Sequence, residues 1–135
     1  MNIGKKPFVG ISYRHDAIFY NEKGSSIMAN VQEWDEAAFS EAVKSGVVIA
    51  DFYAVWCGPC RMMMSVLEKA AAEFSSDQLK AGKINIENCK NLAAQYNIRT
   101  IPTFIVFKDG EVKSVNIGVK SQKMLTEAIR QELDS

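Results

Sequence analysis

Residues 56–61 read Trp-Cys-Gly-Pro-Cys-Arg, and the two thiols three positions apart are the part of this chain best suited to chemistry. Their spacing points to a reversible dithiol/disulfide couple. The run before them, Val47 to Tyr53, is apolar except for Asp51 and reads as a buried strand that gives way to a helix. At that junction Cys57 takes the helix N-terminus, where unpaired N–H groups and the positive end of the dipole favour a thiolate over a thiol. Pro59 falls near the first turn, where its missing donor costs nothing. Cys60, one turn on, lies on the same side of the helix and can reach the Cys57 sulfur.

Two plainer uses of the cysteines fit less well. A zinc site wants four ligands, yet the chain offers only Cys57, Cys60, Cys89 and the single His15, with no second close pair, so no metal is expected. A purely structural Cys57–Cys60 bridge would close too small a loop to stabilise much. A bridge that short is better suited to opening and closing.

Asp51 is the second group with chemical potential. An acid inside a buried strand is desolvated, which raises its pKa toward the range useful for acid–base work, so Asp51 is a candidate for receiving the proton that Cys60 must lose. The competing reading is a buried acid held by a structural partner.

The elements that position these groups follow from apolar periodicity. Helical segments are expected at residues 34–43, 59–74, 90–96 and 121–133, and extended segments at 47–53, 80–86, 103–107 and 112–117. This is an α/β pattern. Asp109-Gly110 is a strong hairpin signal, so the last two strands should be antiparallel, whereas the earlier strands, joined through helices, should be parallel. A mixed sheet with helices on both faces results. Ser121 caps a final helix whose apolar face is read as Met124, Leu125, Ala128, Ile129 and Leu133. Met62, Met63 and Met64 are read as core and rim packing rather than a soft-metal cluster.

With 135 residues, 47% of them hydrophobic and 24% charged, the chain can bury one sizeable core. Sixteen basic against sixteen acidic side chains give no net charge, which argues against nucleic acid or an anionic membrane as partner. No stretch approaches the ~18 apolar residues of a membrane span, and residues 1–27 lack the apolar core of a signal peptide. The expected location is the cytoplasm, where a Cys-X-X-Cys pair is more often catalytic than structural.

Asp51-Phe52-Tyr53-Ala54 leading into Trp56-Cys57-Gly58-Pro59-Cys60, then Ile98-Arg99-Thr100-Ile101-Pro102-Thr103-Phe104, then Phe107-Lys108-Asp109-Gly110-Glu111-Val112, resemble the thioredoxin family in order and spacing. The match covers residues 28–135 and leaves residues 1–27 as an N-terminal extension. The resemblance implies a thioredoxin fold and a monomeric general protein disulfide reductase that binds no cofactor. Its electrons would come from NADPH through a thioredoxin reductase and pass to client proteins with disulfides. Cys57 would be the nucleophile and Cys60 the resolving thiol. Asp51 matches the family's buried aspartate and Lys83 the lysine beside it. Pro102 matches a cis proline facing the active site, which would place Ile101 backbone groups beside Cys57, ready to pair with an extended substrate. Trp56, Gly58, Pro59, Ile101 and Gly118 would form a shallow apolar rim, with Gly118 permitting close approach; Trp56 as plain core is the competing reading.

Gly58-Pro59 between the cysteines resembles reducing members of the family rather than oxidising ones, which leaves a thiol oxidase or isomerase as the alternative activity and a non-catalytic partner-binding module as the alternative class. Three features depart from the family pattern. Tyr53 stands where many thioredoxins have tryptophan, and Ser65 replaces a helix-kinking proline, so the helix should run straighter. The third is the extension, where residues 7–13 and 17–20 alternate weakly enough to suggest a marginal hairpin around His15. Cys89, near a helix start, is read as a passive thiol, with an acidic, oxidisable thiol as the alternative.

Overall fold

Seven consecutive buried residues make Val47–Tyr53 the central strand of the molecule. A strand covered on both faces needs no alternation of polarity, which is why this run is apolar throughout apart from Asp51. The computed structural model describes residues 28–135 and, as backbone, the strands β1 (Ser12–Tyr13) and β2 (Phe19–Tyr20). Those two strands pair antiparallel, Ser12 opposite Tyr20 and Tyr13 opposite Phe19. The rest of residues 1–27, His15 included, lies outside the described residues.

Among the described residues, β3 (Val31–Glu33), β4 (Val47–Tyr53), β5 (Leu79–Asn85), β6 (Thr103–Lys108) and β7 (Glu111–Ile117) form one sheet in the order β3-β5-β4-β6-β7. β5 runs parallel to both β3 and β4, and β6 runs antiparallel to β4 and β7, so the sheet is mixed. The helices are α1 (Glu36–Ala42), α2 (Gly58–Ala71), α3 (Lys90–Gln95) and α4 (Gln122–Leu133). Alternate residues of β4 feed two cores. Val47 and Ile49 pack with Met63 and Leu67 of α2 and Leu125 and Ile129 of α4, while Val48, Ala50 and Phe52 pack with Phe39 of α1 and Leu92 of α3. The expected layering of helices on both faces is present.

Three local expectations need correction. Strand β3 is absent from the sequence-based reading, because an edge strand of three residues with only Val31 partly buried carries too little alternation to detect. The first helix starts at Glu36 rather than at Trp34: Asp35 caps it, its carboxylate accepting from Ala38 N at 2.8 Å, and Trp34 is a buried core residue ahead of the helix. On α4, Leu125 and Ile129 are buried, and Ala128 and Leu133 pack against them, but Met124 is exposed. Helix α2 runs unbroken for 14 residues through Ser65. Met63 is buried, Met62 is exposed and Met64 packs against the cysteine cluster.

The Trp34 ring lies directly over Gly82 of β5, so a Cβ there would overlap the indole. With Trp34 itself 6% exposed, the ring has little room to retreat. Gly82→Ala is therefore expected to destabilise by about 2 kcal/mol or more, as overpacked cores do, read as a lower denaturant midpoint at unchanged slope.

Candidate functional site

Strand β4 ends at Tyr53, the chain turns through residues 54–56, and Cys57 becomes the N-cap of α2. Its sulfur accepts from Cys60 N at 3.2 Å, which meets one of the helix's unpaired donors. Pro59 sits in the first turn. The two sulfurs are joined as a disulfide, with the Cα atoms 5.3 Å apart. Cys57 retains 6% exposure and Cys60 none, so an incoming group meets Cys57 first.

Around the pair, Tyr53, Ala54, Met64, Ile86 and Ile101 form a small apolar cluster. The Ile101–Pro102 peptide is cis, and the Ile101 carbonyl oxygen lies 4.0 Å from Cys57 Sγ. Pro102 is buried and its carbonyl accepts from Gly118 N at 2.8 Å. Gly118 has φ +88° with open space at its Cβ position, so it is required for its backbone angle and not for packing within the chain. Gly58 and Pro59 are exposed. Trp56 is 63% exposed and its Nε1 donates to Glu87 Oε2 at 2.8 Å, which fixes the indole on the surface. Val55 and Met62 are similarly exposed, at 59% and 62%. Arg61 Nη1 donates to Val55 O at 2.8 Å and pins the loop ahead of the cysteines.

Asp51 lies fully buried on the face of β4 that α2 covers. Burial pushes its pKa from 3.8 up to about 7; Lys83 pulls it down and Glu33 pushes it up, both by less. Neither carboxylate oxygen has a hydrogen-bond partner among the described residues. Lys83 stands opposite Asp51 in register on β5, but its ammonium pairs instead with Glu33, 3.8 Å from Oε1. Tyr53 Oη donates to the same carboxylate, 2.8 Å from one oxygen and 2.9 Å from the other.

The structure thus brings Cys57, Cys60, Trp56, Gly58, Pro59, Ile101, Pro102 and Gly118 to one end of the sheet, with Asp51 two residues before the end of β4 and Lys83 opposite it on β5. Sequence reasoning missed Val55, Glu33 and Glu87. Val55 could have been found as an apolar residue stranded in a turn beside Trp56. Glu33 depends on the unrecognised β3, and Glu87 lies 31 positions from the tryptophan it holds. Cys89 is buried beside the Trp34 carbonyl, and burial raises its thiol pKa, with smaller pushes from Glu36, Asp35 and Glu33. The alternative of an acidic, oxidisable thiol at that helix start is therefore wrong: the helix is one short turn and a half and the thiol makes no cap bond.

A redox-competent cysteine pair at a strand-to-helix junction, on a mixed sheet with helices on both faces, defines a thiol–disulfide oxidoreductase. The chain belongs to the thioredoxin family. The family model described as Thioredoxin matches residues 30–131. Thioredoxin of Bacillus subtilis is 42% identical over 106 residues, 78% of this chain and 100% of that one. Thioredoxin of Chlamydia pneumoniae is 43% identical over 91 residues, 67% of this chain and 87% of that one. The structure of an N21Q mutant thioredoxin from Halobacterium salinarum superposes with a TM-score of 0.68 at 31% identity, covering 76% of this chain and 89% of that one. No helix among the described residues is long and apolar enough to cross a membrane.

Proposed function

We propose that this protein is a general protein disulfide reductase of the cytoplasm, formed by the domain at residues 28–135. The observation that carries the reading is the asymmetry of the pair: Cys57 caps α2 and keeps 6% exposure, while Cys60 is sealed behind it. Reduced Cys57 attacks as a thiolate, favoured by the N–H groups at the helix start. A bond forms between Cys57 Sγ and one client sulfur, and the other client sulfur leaves as a thiolate. Cys60 then gives its proton to the Asp51 carboxylate and attacks Cys57 Sγ. The Cys57–Cys60 bond closes, the bond to the client breaks, and the client is left with two thiols.

Trp56, Gly58, Pro59, Ile101, Pro102 and Gly118 receive the client. The Ile101 carbonyl beside Cys57 is placed to pair with an extended segment, and main-chain pairing would be tolerant of client sequence. Lys83 acts through its field on Asp51. Two electrons return from NADPH through a thioredoxin reductase, without a cofactor bound to this chain.

The direction of exchange is tested by equilibrating the Cys57–Cys60 couple against defined dithiol buffers and trapping free thiols. A potential near about −270 mV is expected of a reductant. A value above roughly −200 mV would sink the reductase reading in favour of an oxidase or isomerase.

A further inference from the structure

One row of side chains crosses the sheet on the α2 face: Glu33 on β3, Lys83 on β5 and Asp51 on β4 stand opposite one another in register. Lys83 thus has a carboxylate on each side. Its Nζ lies 3.8 Å from Glu33 Oε1, while both Asp51 oxygens lack a hydrogen-bond partner among the described residues.

Tyr53, two positions beyond Asp51 on the same face, accounts for the choice. Its hydroxyl sits 2.8 and 2.9 Å from the two Glu33 oxygens, so its single proton holds that carboxylate in place. The Lys83 ammonium lies over the Tyr53 ring, 5.6 Å from its centroid. Between these two groups the ammonium keeps contact with water, the Lys83 and Glu33 side chains being 31% and 51% exposed. Turning toward Asp51, which has no exposure, would strip that water away.

We propose that Glu33 and Tyr53 are positioning residues for the thiol exchange: together they hold Lys83 away from Asp51 and so preserve Asp51 as a proton acceptor. This rests on the reading of Asp51 as the acceptor for the Cys60 proton. The remaining surroundings do not compete for the role. On β6 the residue opposite Asp51 is Phe104, α4 contributes Leu125 and Ile129 to that face, and at the start of α2 Cys57 and Cys60 are joined as a disulfide that does not titrate in the oxidised protein. Lys83 lowers the Asp51 pKa and Glu33 raises it by less, both far enough from it for burial to dominate. Tyr53 supplies the hydroxyl on which the latch depends.

The test is the Asp51 titration midpoint, followed by its carboxyl carbon resonance in the oxidised protein. Glu33→Gln keeps an acceptor for Tyr53 but removes the charge that attracts Lys83, and Glu33 is exposed enough for the fold to tolerate it. The midpoint is expected to fall by about one pH unit. Tyr53→Phe keeps the ring and frees the carboxylate, and should shift it the same way by less. The pH profile of mixed-disulfide resolution should move with the midpoint. An unchanged or raised midpoint in Glu33→Gln overturns the latch. A shifted midpoint, together with undiminished resolution in Asp51→Asn, overturns instead the acceptor reading and with it the catalytic part of the inference, leaving Glu33 as an electrostatic neighbour.

Discussion

Cys60→Ser is expected to convert the protein from a catalyst into a trap. With Cα atoms 5.3 Å apart and Cys60 sealed behind Cys57, the second thiol attacks its neighbour from a fixed position. Well-oriented intramolecular attack of this kind corresponds to an effective concentration of about 10⁵ M or more. A serine hydroxyl is not ionised at neutral pH, so the mixed disulfide on Cys57 loses its internal exit and waits for an external thiol. Turnover on a disulfide-bonded client should fall by at least on the order of a thousand-fold. A covalent conjugate should accumulate in its place, visible on non-reducing gels and mapped by mass spectrometry to Cys57. Cys57→Ser should give no conjugate, because Cys60 has no exposure and Cys89 is buried, with burial pushing its thiol pKa up. A conjugate mapping to Cys60 or Cys89, or near-normal turnover in Cys60→Ser, would overturn the assignment of roles. A binding module without redox turnover would retain its function in both variants.

The chemical centre was legible because its signals are local. Cys57, Gly58, Pro59 and Cys60 are contiguous, and a cap, an N-terminal proline and a one-turn spacing are all set by helix geometry over these four residues. Asp51 was legible for a related reason: one acid in a seven-residue apolar run must be desolvated if the run is a central strand, and it is. The partners that tune the site were not. Lys83 could be placed beside Asp51 by resemblance, but its preference for Glu33 depends on register between β3 and β5 and on the Tyr53 hydroxyl, neither of which leaves a trace in local periodicity.

Element types followed the same rule. Strand β4 and the β6–β7 hairpin at Asp109-Gly110 were readable from a run apolar but for Asp51 and from a two-residue turn. Strand β3 and the start of α1 were not, because the buried indole of Trp34 looks like the first apolar residue of a helix when it is in fact core, packed over Gly82. Met124 was misassigned at the opposite end of the chain for the converse reason. Helical spacing puts it beside Leu125, yet the α4 stripe that meets the sheet is narrower than its apolar residues suggest.

Removing the Asp51 carboxylate should stabilise the folded protein, and the gain should depend on pH in a specific window. In the unfolded chain the group titrates near 3.8, whereas burial raises it to about 7 in the folded protein. Between those values the folded state keeps a proton that the unfolded state has released, so stability falls as pH rises. Below about pH 4 both states are protonated and Asp51 costs nothing on this account; above about pH 7 the full cost is present. A difference of about 3 pH units corresponds to roughly 4 kcal/mol. Because the side chain has no exposure, solvent screening does not discount it. Asp51→Asn keeps the shape and cannot ionise. Its stability should match the parent in mild acid, diverge through the window and exceed it by roughly 4 kcal/mol in mild alkali, a rise in Tm on the order of 10 °C. Denaturant titrations of both oxidised proteins across this range would decide the matter. Parallel curves would mean that Asp51 titrates in the folded state as it does in the unfolded chain, its burial offset by Lys83, and a buried ion pair would replace the neutral acid as the account of the site. If the curves do diverge, the same experiment shows what the acid costs the fold, and resolution by Cys60 shows what that cost sustains.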